Sequence, residues 1–390
     1  MEKATRRQTK DHNSRLVLKT IYDAGPISRA EIARRTRLTR PTVSTLAAEL
    51  LADDLVVETG QGPSGGGKRP TLLSINDAGP ALLTLDLSGD DYRGALVTLR
   101  GRIVGRVSQP AADLRGQQAL DCLYELTDAL LPAGPLLGLG VATPGLVDPQ
   151  CGVVLRAVNR GWVDLPLREL LAARYDHPVY VANDSHVAAL AEYTYGTGPS
   201  DSSLIVLRVG QGIGAGVILH GRPFYGDGFG AGEIGHVVVD VGGALCRCGN
   251  RGCLETTSSI PAILRAATAA DRRQSSLAGA PLTWSRFAAA VATHDPVAVD
   301  VAVRAGCHLG AAVAHLVGAY NIQNIVLTGD VTDLGDVLLD AVQAEMHQRV
   351  LPAMAAATNV RFASLATAQL PDLITLGCSA LILQRELKIP

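Results

Sequence analysis

Apolar residues recur at helical spacing in three successive segments near the start of the chain. The pattern predicts a first helix around residues 16–22, stopped by Gly25 and the proline that follows it. Ser28 is placed to cap a second helix, with a glutamate three positions on as in a capping box, and Thr39 is placed to cap a third. The first part of the chain is therefore predicted to be helical.

The pattern then changes to short strand-like runs. Strands are predicted at residues 55–57 and 71–75, on either side of a glycine-rich tip at residues 60–67. Three helices followed by such a hairpin predict a winged helix-turn-helix. Residues 1–13, which are polar and basic, are predicted to form a flexible arm in front of it.

Beyond residue 80, strand-like and helical segments alternate, which predicts an α/β body. The strand-like runs lie at residues 82–87, 93–98, 136–142, 178–182, 203–208 and 324–328, and helical stretches at 117–131, 184–195 and 298–319. With 390 residues the chain is long enough for two or three domains.

Charge distinguishes the head from the body. Residues 1–75 carry thirteen basic and eight acidic residues, although the whole chain has a net charge of −2. A basic head on an acidic body predicts a polyanionic partner for the head. No uninterrupted apolar run reaches the roughly 18 residues of a membrane span, and no signal peptide opens the chain, so we expect a cytoplasmic protein with reduced cysteines.

The third predicted helix has the character of a DNA-recognition helix. Its N-terminal residues would face base edges in the major groove, and the tip Gly-Gly-Gly-Lys-Arg would let cations approach the backbone or the minor groove. Phosphate contacts from Arg6, Arg7 and Lys10 would add to these. The alternative is a small protein-interaction module with a solvated basic face. The predicted DNA contacts are Arg40, Pro41, Thr42, Ser44, Thr45, Lys68 and Arg69.

Three cysteines cluster within eight residues. Cys246, Cys248 and Cys253 follow His236 by ten to seventeen positions, and thiolates with an imidazole are typical zinc ligands. Four protein ligands leave no open position, so a structural zinc ion is predicted, one that pins the loop 236–253. The alternative is three buried free thiols. The other four cysteines are scattered, and core packing is the better explanation for them.

These motifs resemble a known family. Gly-Ala-Gly-Glu-Ile-Gly-His at residues 230–236, followed by Cys-x-Cys-Gly-x-x-Gly-Cys-Leu-Glu at 246–255, resembles the signature of the ROK family of repressors, open reading frames and sugar kinases. Residues 141–148, 159–162 and 182–184 resemble further segments of that family. A winged helix at the N-terminus is typical of its repressor branch, similar to the xylose and N-acetylglucosamine-type repressors.

The resemblance implies an actin/hexokinase-like, ribonuclease H-like body of two α/β lobes with a sugar cleft. The winged helix would take residues 1–78, the first lobe 79–196 completed by 375–390, and the second lobe 197–374 with a dimerisation surface. Carboxylates and amides bind vicinal hydroxyls well. The residues expected to bind sugar are Asn159, Asn183, Asp184, Glu233, His236 and Glu255.

The nucleotide motifs of the kinases are altered here. Family kinases carry Asp-x-Gly-Gly-Thr after the first strand, whereas residues 86–91 read Asp-Leu-Ser-Gly-Asp-Asp, whose extra carboxylates would repel a triphosphate. The glycines at 210–216 fit phosphate binding or a bent β-hairpin. Asp330 stands where a nucleotide would pass. We therefore expect no enzyme activity, with Asp184 as the remnant of a general base.

Three functions fit these observations. The leading one is a repressor that binds a palindromic operator as a homodimer, or as a tetramer, and responds to a sugar or sugar phosphate. The second is an active ATP-dependent sugar kinase with a DNA-binding head. The third is a regulator switched by a protein partner. A membrane partner is not expected.

Overall fold

The computed structural model describes residues 5–63, 69–196, 203–270, 273, 275–279, 281–365 and 372–389. The chain forms two compact units. The first takes Met1–Ala182 together with Cys378–Pro390, and the second takes Asn183–Gly377. The chain thus leaves the first unit once and returns to it once, inside its last helix.

The N-terminal part of the first unit is a winged helix, as the hydrophobic pattern predicts. Val17, Ile21, Ile32 and Val43 from the three helices are fully buried, and so is Leu73 of the sheet. The antiparallel sheet has the order β1-β3-β2. The elements are α1 (Arg6–Ala24), β1 (Ile27–Ser28), α2 (Arg29–Thr36), α3 (Arg40–Ala52), β2 (Val56–Gln61) and β3 (Thr71–Ile75).

Hydroxyl groups fix the starts of α2 and α3. The Ser28 side chain accepts a hydrogen bond from the backbone N–H of Glu31 at 3.2 Å. The Thr39 side chain accepts one from the backbone N–H of Thr42 at 3.3 Å. Each bond satisfies a donor that the first helical turn leaves unpaired. Both predicted caps are therefore confirmed.

The prediction of a flexible arm is wrong from Arg6 onward, because α1 already begins there. Thr5 caps this helix, and its side chain and that of Gln8 form a reciprocal capping box. Lys10 makes an ion pair of 2.8 Å with Glu49 of α3. Polar residues thus begin α1 and hold its first turns, and a prediction based on the spacing of apolar residues does not detect them.

The rest of the first unit is built on a five-stranded sheet of order β11-β7-β4-β5-β6 and a three-stranded sheet of order β10-β9-β8. β4 is parallel to β7 and antiparallel to β5. The elements are β4 (Ala81–Asp86), β5 (Asp91–Val97), β6 (Ile103–Pro110), α4 (Gly116–Asp128), β7 (Leu136–Thr143), β8 (Leu146–Asp148), β9 (Val153–Ala157), β10 (Trp162–Leu165), α5 (Leu167–Tyr175), β11 (Val179–Asn183) and α13 (Leu373–Glu386).

The second unit has one five-stranded sheet of order β14-β13-β12-β15-β16. β12, β15 and β16 are parallel, and β12 forms an antiparallel hairpin with β13. The elements are α6 (Asp184–Tyr195), β12 (Leu204–Val209), β13 (Ile213–Leu219), β14 (Arg222–Pro223), α7 (Leu254–Ser258), α8 (Ile260–Ala269), α9 (Trp284–Ala292), α10 (Pro296–Tyr320), β15 (Asn324–Thr328), α11 (Gly335–Arg349), α12 (Pro352–Ala357) and β16 (Asn359–Phe362). All the strand-like and helical runs predicted for the body lie within or overlap these elements.

Helix α10 forms the core of the second unit. By length and composition it could cross a membrane, since its most apolar 18-residue window has a mean hydropathy of 1.5. The expectation of no such segment counted only uninterrupted apolar runs, and dispersed polar residues such as Asp300 and Arg304 interrupt this one. However, 61% of that window is buried within the protein, and Leu309 and Val313 are fully buried. The high hydropathy of α10 is therefore that of a helix packed in the core of the second unit.

The two units divide earlier in the chain than the predicted lobes. The predicted boundary lies between residues 196 and 197, whereas the units divide between Ala182 and Asn183. Helix α6 belongs to the second unit because it packs on β12 and β13. Two glycines of β13 make this close approach feasible: a Cβ at Gly214 would lie 2.4 Å from the Ser185 hydroxyl, and one at Gly216 2.2 Å from the Ser185 carbonyl.

Candidate functional site

One imidazole and three thiols meet in the long loop of the second unit. The ligand atoms of His236, Cys246, Cys248 and Cys253 all lie within 4.8 Å of one another. Nδ1 of His236 is 3.6 Å from Sγ of Cys246, and the Sγ atoms of Cys248 and Cys253 are 3.6 Å apart. Zinc–sulfur bonds of about 2.3 Å in a tetrahedron place two sulfurs roughly 3.8 Å apart. The cluster is a possible metal-binding site, and its spacing fits a tetrahedral ion.

The backbone of this loop turns sharply to bring the thiols together. Gly249 and Gly252 have φ values of 100° and 73°, a backbone conformation that residues other than glycine rarely adopt. A Cβ at Gly252 would lie 1.6 Å from the carbonyl oxygen of Asp240, so no larger residue fits there. Two isolated β-bridges, Val238 with Cys253 and Leu245 with Arg251, complete the loop.

His236 connects the metal cluster to a group of carboxylates. Its Nδ1 faces the Cys246 thiol, and its Nε2 lies 3.9 Å from Oε2 of Glu233. With Nδ1 on a metal, Nε2 would carry the proton and act as a donor. The two ring nitrogens therefore face two different groups, a thiol on one side and a carboxylate on the other.

Asn183 and Asp184 lie at the start of α6. The side-chain oxygen of Asn183 accepts hydrogen bonds from the backbone N–H groups of Ser185 and His186, at 2.8 and 3.3 Å, and so caps the helix. Asp184 is buried, and its Oδ2 lies 2.9 Å from Nη1 of Arg208 on β12. Asn183, predicted to bind sugar, thus has a structural role through its oxygen.

Three carboxylates act on one another beside His236. Desolvation raises the pKa of Glu233, the imidazole of His236 lowers it, and the negative charges of Asp184 and Glu255 raise it again. Glu255 accepts a hydrogen bond at 3.2 Å from the backbone N–H of Ile213. These four predicted residues therefore form one acidic, acceptor-rich cluster within the second unit.

The glycine-rich segment at residues 210–216 is the turn and second strand of the β12–β13 hairpin. Gly210 donates its N–H to the carbonyl of Gly212, which closes the turn. A Cβ at Gly212 would lie 2.8 Å from Oε2 of Glu255. The hairpin interpretation is confirmed, and the glycine at 212 leaves room for a carboxylate.

The N-terminal head exposes the predicted face of α3. Arg40, Pro41, Ser44 and Thr45 are exposed, and Thr42 is half-buried with its hydroxyl 2.8 Å from that of the capping threonine. The opposite face is buried in the head. Among the wing residues, Arg69 is exposed, and Lys68 lies outside the described residues.

Comparison with known families identifies the parts. The profile of the ROK family matches residues 82–384, and that of the MarR family matches residues 13–69. The chain belongs to the ROK family. Its architecture is a MarR-like winged helix in front of an actin/hexokinase-like ROK body, as predicted.

Relatives within the ROK family match the chain over nearly its full length. The xylose repressor of Caldicellulosiruptor bescii is 30% identical over 396 residues, covering 98% of each chain. The transcriptional dual regulator NagC of Escherichia coli is 30% identical over 354 residues, covering 88% of this chain and 86% of that one. The crystal structure of a ROK family transcriptional regulator, a homologue of the E. coli MLC protein, superposes with a TM-score of 0.82 at 27% identity and covers 97% and 99% of the two chains.

Hydrogen bonds from the protein's own side chains hold the turn between β4 and β5, the first two strands of the ROK body. The N–H and the hydroxyl of Ser88 both donate to Oδ1 of Asp86, at 2.8 and 2.5 Å. The buried Arg160 donates to the carbonyls of Leu87 and Gly89, at 2.9 and 2.5 Å. A phosphate cradle needs backbone N–H groups aimed at the ligand, and here the N–H and hydroxyl of Ser88 are directed at the neighbouring aspartate.

The predicted sugar-proximal residue Asn159 lies in the first unit. It sits in the 3-10 turn Val158–Arg160, which is followed by Gly161 in a left-handed conformation with φ of 66°. The indole nitrogen of Trp162 donates to the carbonyl of Gly116 at 3.0 Å and fixes the following strand.

Sequence reasoning missed three residues that lie beside the acidic cluster of the second unit. Arg208 pairs with Asp184, and Arg247 lies 3.6 Å from Glu255. His186, which is buried, donates from Nε2 to the carbonyl of Ala231 at 2.9 Å, on the loop that leads to the glutamate beside the metal cluster. An arginine inside the apolar strand Leu-Ile-Val-Leu-Arg-Val was the one signal available.

Proposed function

We propose that this ROK protein is a sugar-responsive transcriptional repressor that binds DNA and does not phosphorylate sugars. The observation that carries the proposal is the joining of a MarR-type head to a complete ROK body, in a chain that matches a xylose repressor along 98% of both lengths. A regulator of this type acts on the chromosome, so we place it in the cytoplasm.

The head would read DNA through α3. Its exposed first turns carry Arg40, whose guanidinium can form a bidentate contact with guanine, and hydroxyls that reach bases or phosphates. Lys68 and Arg69 of the wing would contact the backbone or the minor groove. We propose a homodimer, whose two heads would require a palindromic operator with half-sites spaced by whole helical turns.

The effector would bind at the acidic cluster of the second unit. Asp184, Glu233 and Glu255 offer carboxylate oxygens to sugar hydroxyls, and His236 offers an N–H. Sites of this kind reject analogues that lack the matching hydroxyl, since a buried polar group would be left unpaired. The amide of Asn183 belongs to the proposed set in this unit, whereas Asn159, which the resemblance also implies as a sugar-binding residue, lies in the first unit. The ligand class is a sugar or sugar phosphate.

The metal proposed for the cysteine cluster is zinc. His236, Cys246, Cys248 and Cys253 would hold it in a closed tetrahedral shell, which gives it a structural role and leaves no position for reactive water. Bound there, the ion would supply a fixed cross-link and a fixed tautomer of the histidine. The imidazole would then present Nε2–H to the sugar.

An active sugar kinase is the second candidate, because Asp184 stands where a general base is expected. The closed β4–β5 turn and the carboxylate of Asp330, 3.7 Å from the position a Cβ of Gly210 would take, favour a body without ATP binding. A coupled assay for ADP release across a hexose panel decides between the two. Turnover that Asp184→Asn abolishes would overturn the repressor-only proposal.

A protein-switched regulator is the third candidate, and exposed apolar residues on the metal loop favour it. Val241 is 94% exposed and Leu245 64%. Calorimetry against hexoses, amino sugars, xylose and their phosphates separates this case. If none of them binds, a protein signal takes the place of the sugar.

The test of the proposed function is a mobility shift on DNA upstream of the gene, with and without the sugar panel. We expect a specific shift whose affinity changes with one sugar. Arg40→Ala should weaken specific binding by roughly tenfold or more, in line with about 1–3 kcal/mol for a bidentate base contact. Arg265→Ala, an exposed arginine on α8, is the matched control. Unaltered binding by the Arg40 variant would refute the assigned recognition helix.

A further inference from the structure

An ion pair joins β12 to the first turn of α6. Nη1 of Arg208 lies 2.9 Å from Oδ2 of Asp184, and the two side chains are 24% and 10% exposed. Both charges are thus largely shielded from water, and a shielded charge that loses its partner is left uncompensated at considerable cost. The pair is therefore a much stronger constraint than an ion pair on the surface.

The second oxygen of Asp184 is held as well. Oδ1 accepts the backbone N–H of Ser185 at 2.9 Å, in the first turn of a helix of twelve residues. One oxygen thus receives a backbone donor and the other a cationic one, and the helix N-terminus also favours negative charge. Protonating the carboxylate would mean giving up the ion pair.

The surroundings of Asp184 explain why a cation is needed there. The negative charges of Glu255 and Asp184 both act on Glu233, so Asp184 is one of several like charges in this part of the second unit. Glu255 also has an arginine partner, since Nη2 of Arg247 lies 3.6 Å from its Oε1. The Arg247 side chain is 64% exposed, so water screens this charge and the interaction is weak. Arg208 is by contrast a close and shielded partner for one carboxylate of the cluster.

We infer that Arg208 is a positioning residue that keeps Asp184 ionised and oriented as a hydrogen-bond acceptor for one effector hydroxyl. The same contact pairs one oxygen of the carboxylate with a cation, which makes the carboxylate a weaker base toward that hydroxyl and favours binding over activation. The effector part of this inference rests on the proposed function. The pairing itself does not, and it is measured without any ligand.

The pairing is tested by a double-mutant cycle on the unliganded, full-length protein. Arg208→Met and Asp184→Asn should each lower the thermal midpoint by several degrees, and the double variant by no more than the larger single effect. Arg265→Met is the matched control and should leave the midpoint unchanged. Additive effects of the two single substitutions would overturn the pairing. If Arg208→Met does not fold, Arg208→Gln replaces it in the cycle.

The effector role is tested by calorimetry with D-glucose, D-xylose and N-acetylglucosamine and their singly deoxygenated analogues. For the sugar that binds, one analogue should lose roughly tenfold or more in affinity to the wild-type protein. Arg208→Met should weaken the parent sugar by a similar factor and that analogue much less, so that the discrimination collapses. Arg208→Lys should restore it in part.

The outcomes separate the two proposals. Equal weakening of sugar and analogue in the Arg208 variant would mean a merely structural role and would overturn the inference, while the proposed function stands. Failure of every probe to bind the wild-type protein would refute the sugar function and the effector part together. The cycle would then still decide whether Arg208 holds Asp184.

Discussion

Replacing Cys248 by serine should release the proposed zinc ion and loosen the loop it holds. Between residues 237 and 251 Cys246 is the single buried residue, while Val241 and Leu245 are largely exposed. The loop therefore has almost no apolar core to order it, and the metal ligands have to supply its constraint.

The size of the effect follows from the span of chain that the metal closes. Its outermost ligands are His236 and Cys253, and a cross-link over a loop of about 15 residues contributes about 3 kcal/mol by the chain-entropy estimate. For a unit of this size, a loss of 1 kcal/mol lowers the thermal midpoint by about 2–4 °C. We expect Cys248→Ser to lower the midpoint of the second unit by roughly 6–12 °C.

The assay combines metal content with calorimetric unfolding, before and after treatment with a chelator. Wild-type protein should carry one zinc per chain and lose stability with the chelator, whereas the Cys248→Ser variant should be metal-poor and insensitive to it. Cys151→Ser, an exposed cysteine of the first unit, is the matched control. A wild-type sample that folds without metal, with the variant unfolding at the same temperature, would refute the reasoning.

Three further substitutions test the site and the head. Gly212→Ala should weaken effector binding by about tenfold in calorimetry, because its Cβ would displace the Glu255 carboxylate from 2.8 Å; unchanged affinity would show that the carboxylate takes no part. Burial lowers the pKa of His186 below its usual 6.5, so the unfolded state binds the proton more readily and stability should fall as pH drops below about 6.5; His186→Gln should flatten this dependence in denaturant titrations. The guanidinium of Arg100 donates a hydrogen bond to the carbonyl of Tyr22 at 2.7 Å and lies over the Tyr22 ring. Arg100→Ala should therefore raise hydrogen exchange in α1, whereas Arg102→Ala, at the neighbouring exposed arginine, should not.

The sequence predicted the features that local spacing encodes. The helix caps at Ser28 and Thr39, and the imidazole and thiols that meet in the loop, are short-range patterns, in which the partners lie close together along the chain. The alternation of strands and helices in the body was equally readable, because the central strands β4, β7, β12 and β15 consist mainly of buried apolar residues. These are the parts of the molecule for which neighbours in sequence are neighbours in space.

The contacts that sequence reasoning missed join distant segments. Arg208 lies 24 positions from Asp184, and Arg100 lies 78 positions from the carbonyl it binds. Neither arginine belongs to a motif, and an arginine in a strand or a turn is ordinarily a surface residue. Their partners are set by how strands and helices pack, which one sequence without homologues does not encode in any local pattern.

The buried Arg160 and the half-buried Arg208 offer an explanation for how a kinase-like body would bind a sugar without acting on it. In the first unit, Arg160 draws the carbonyls of the β4–β5 turn inward, while the donors of Ser88 are directed at Asp86. In the second unit, Arg208 occupies an oxygen of the carboxylate that a kinase would use as its base. The first arrangement occupies backbone and side-chain groups of the turn, and the second pairs the carboxylate with a cation. In the proposed sugar site, binding and turnover would thus be separable at the level of a single ion pair, that of Arg208 with Asp184.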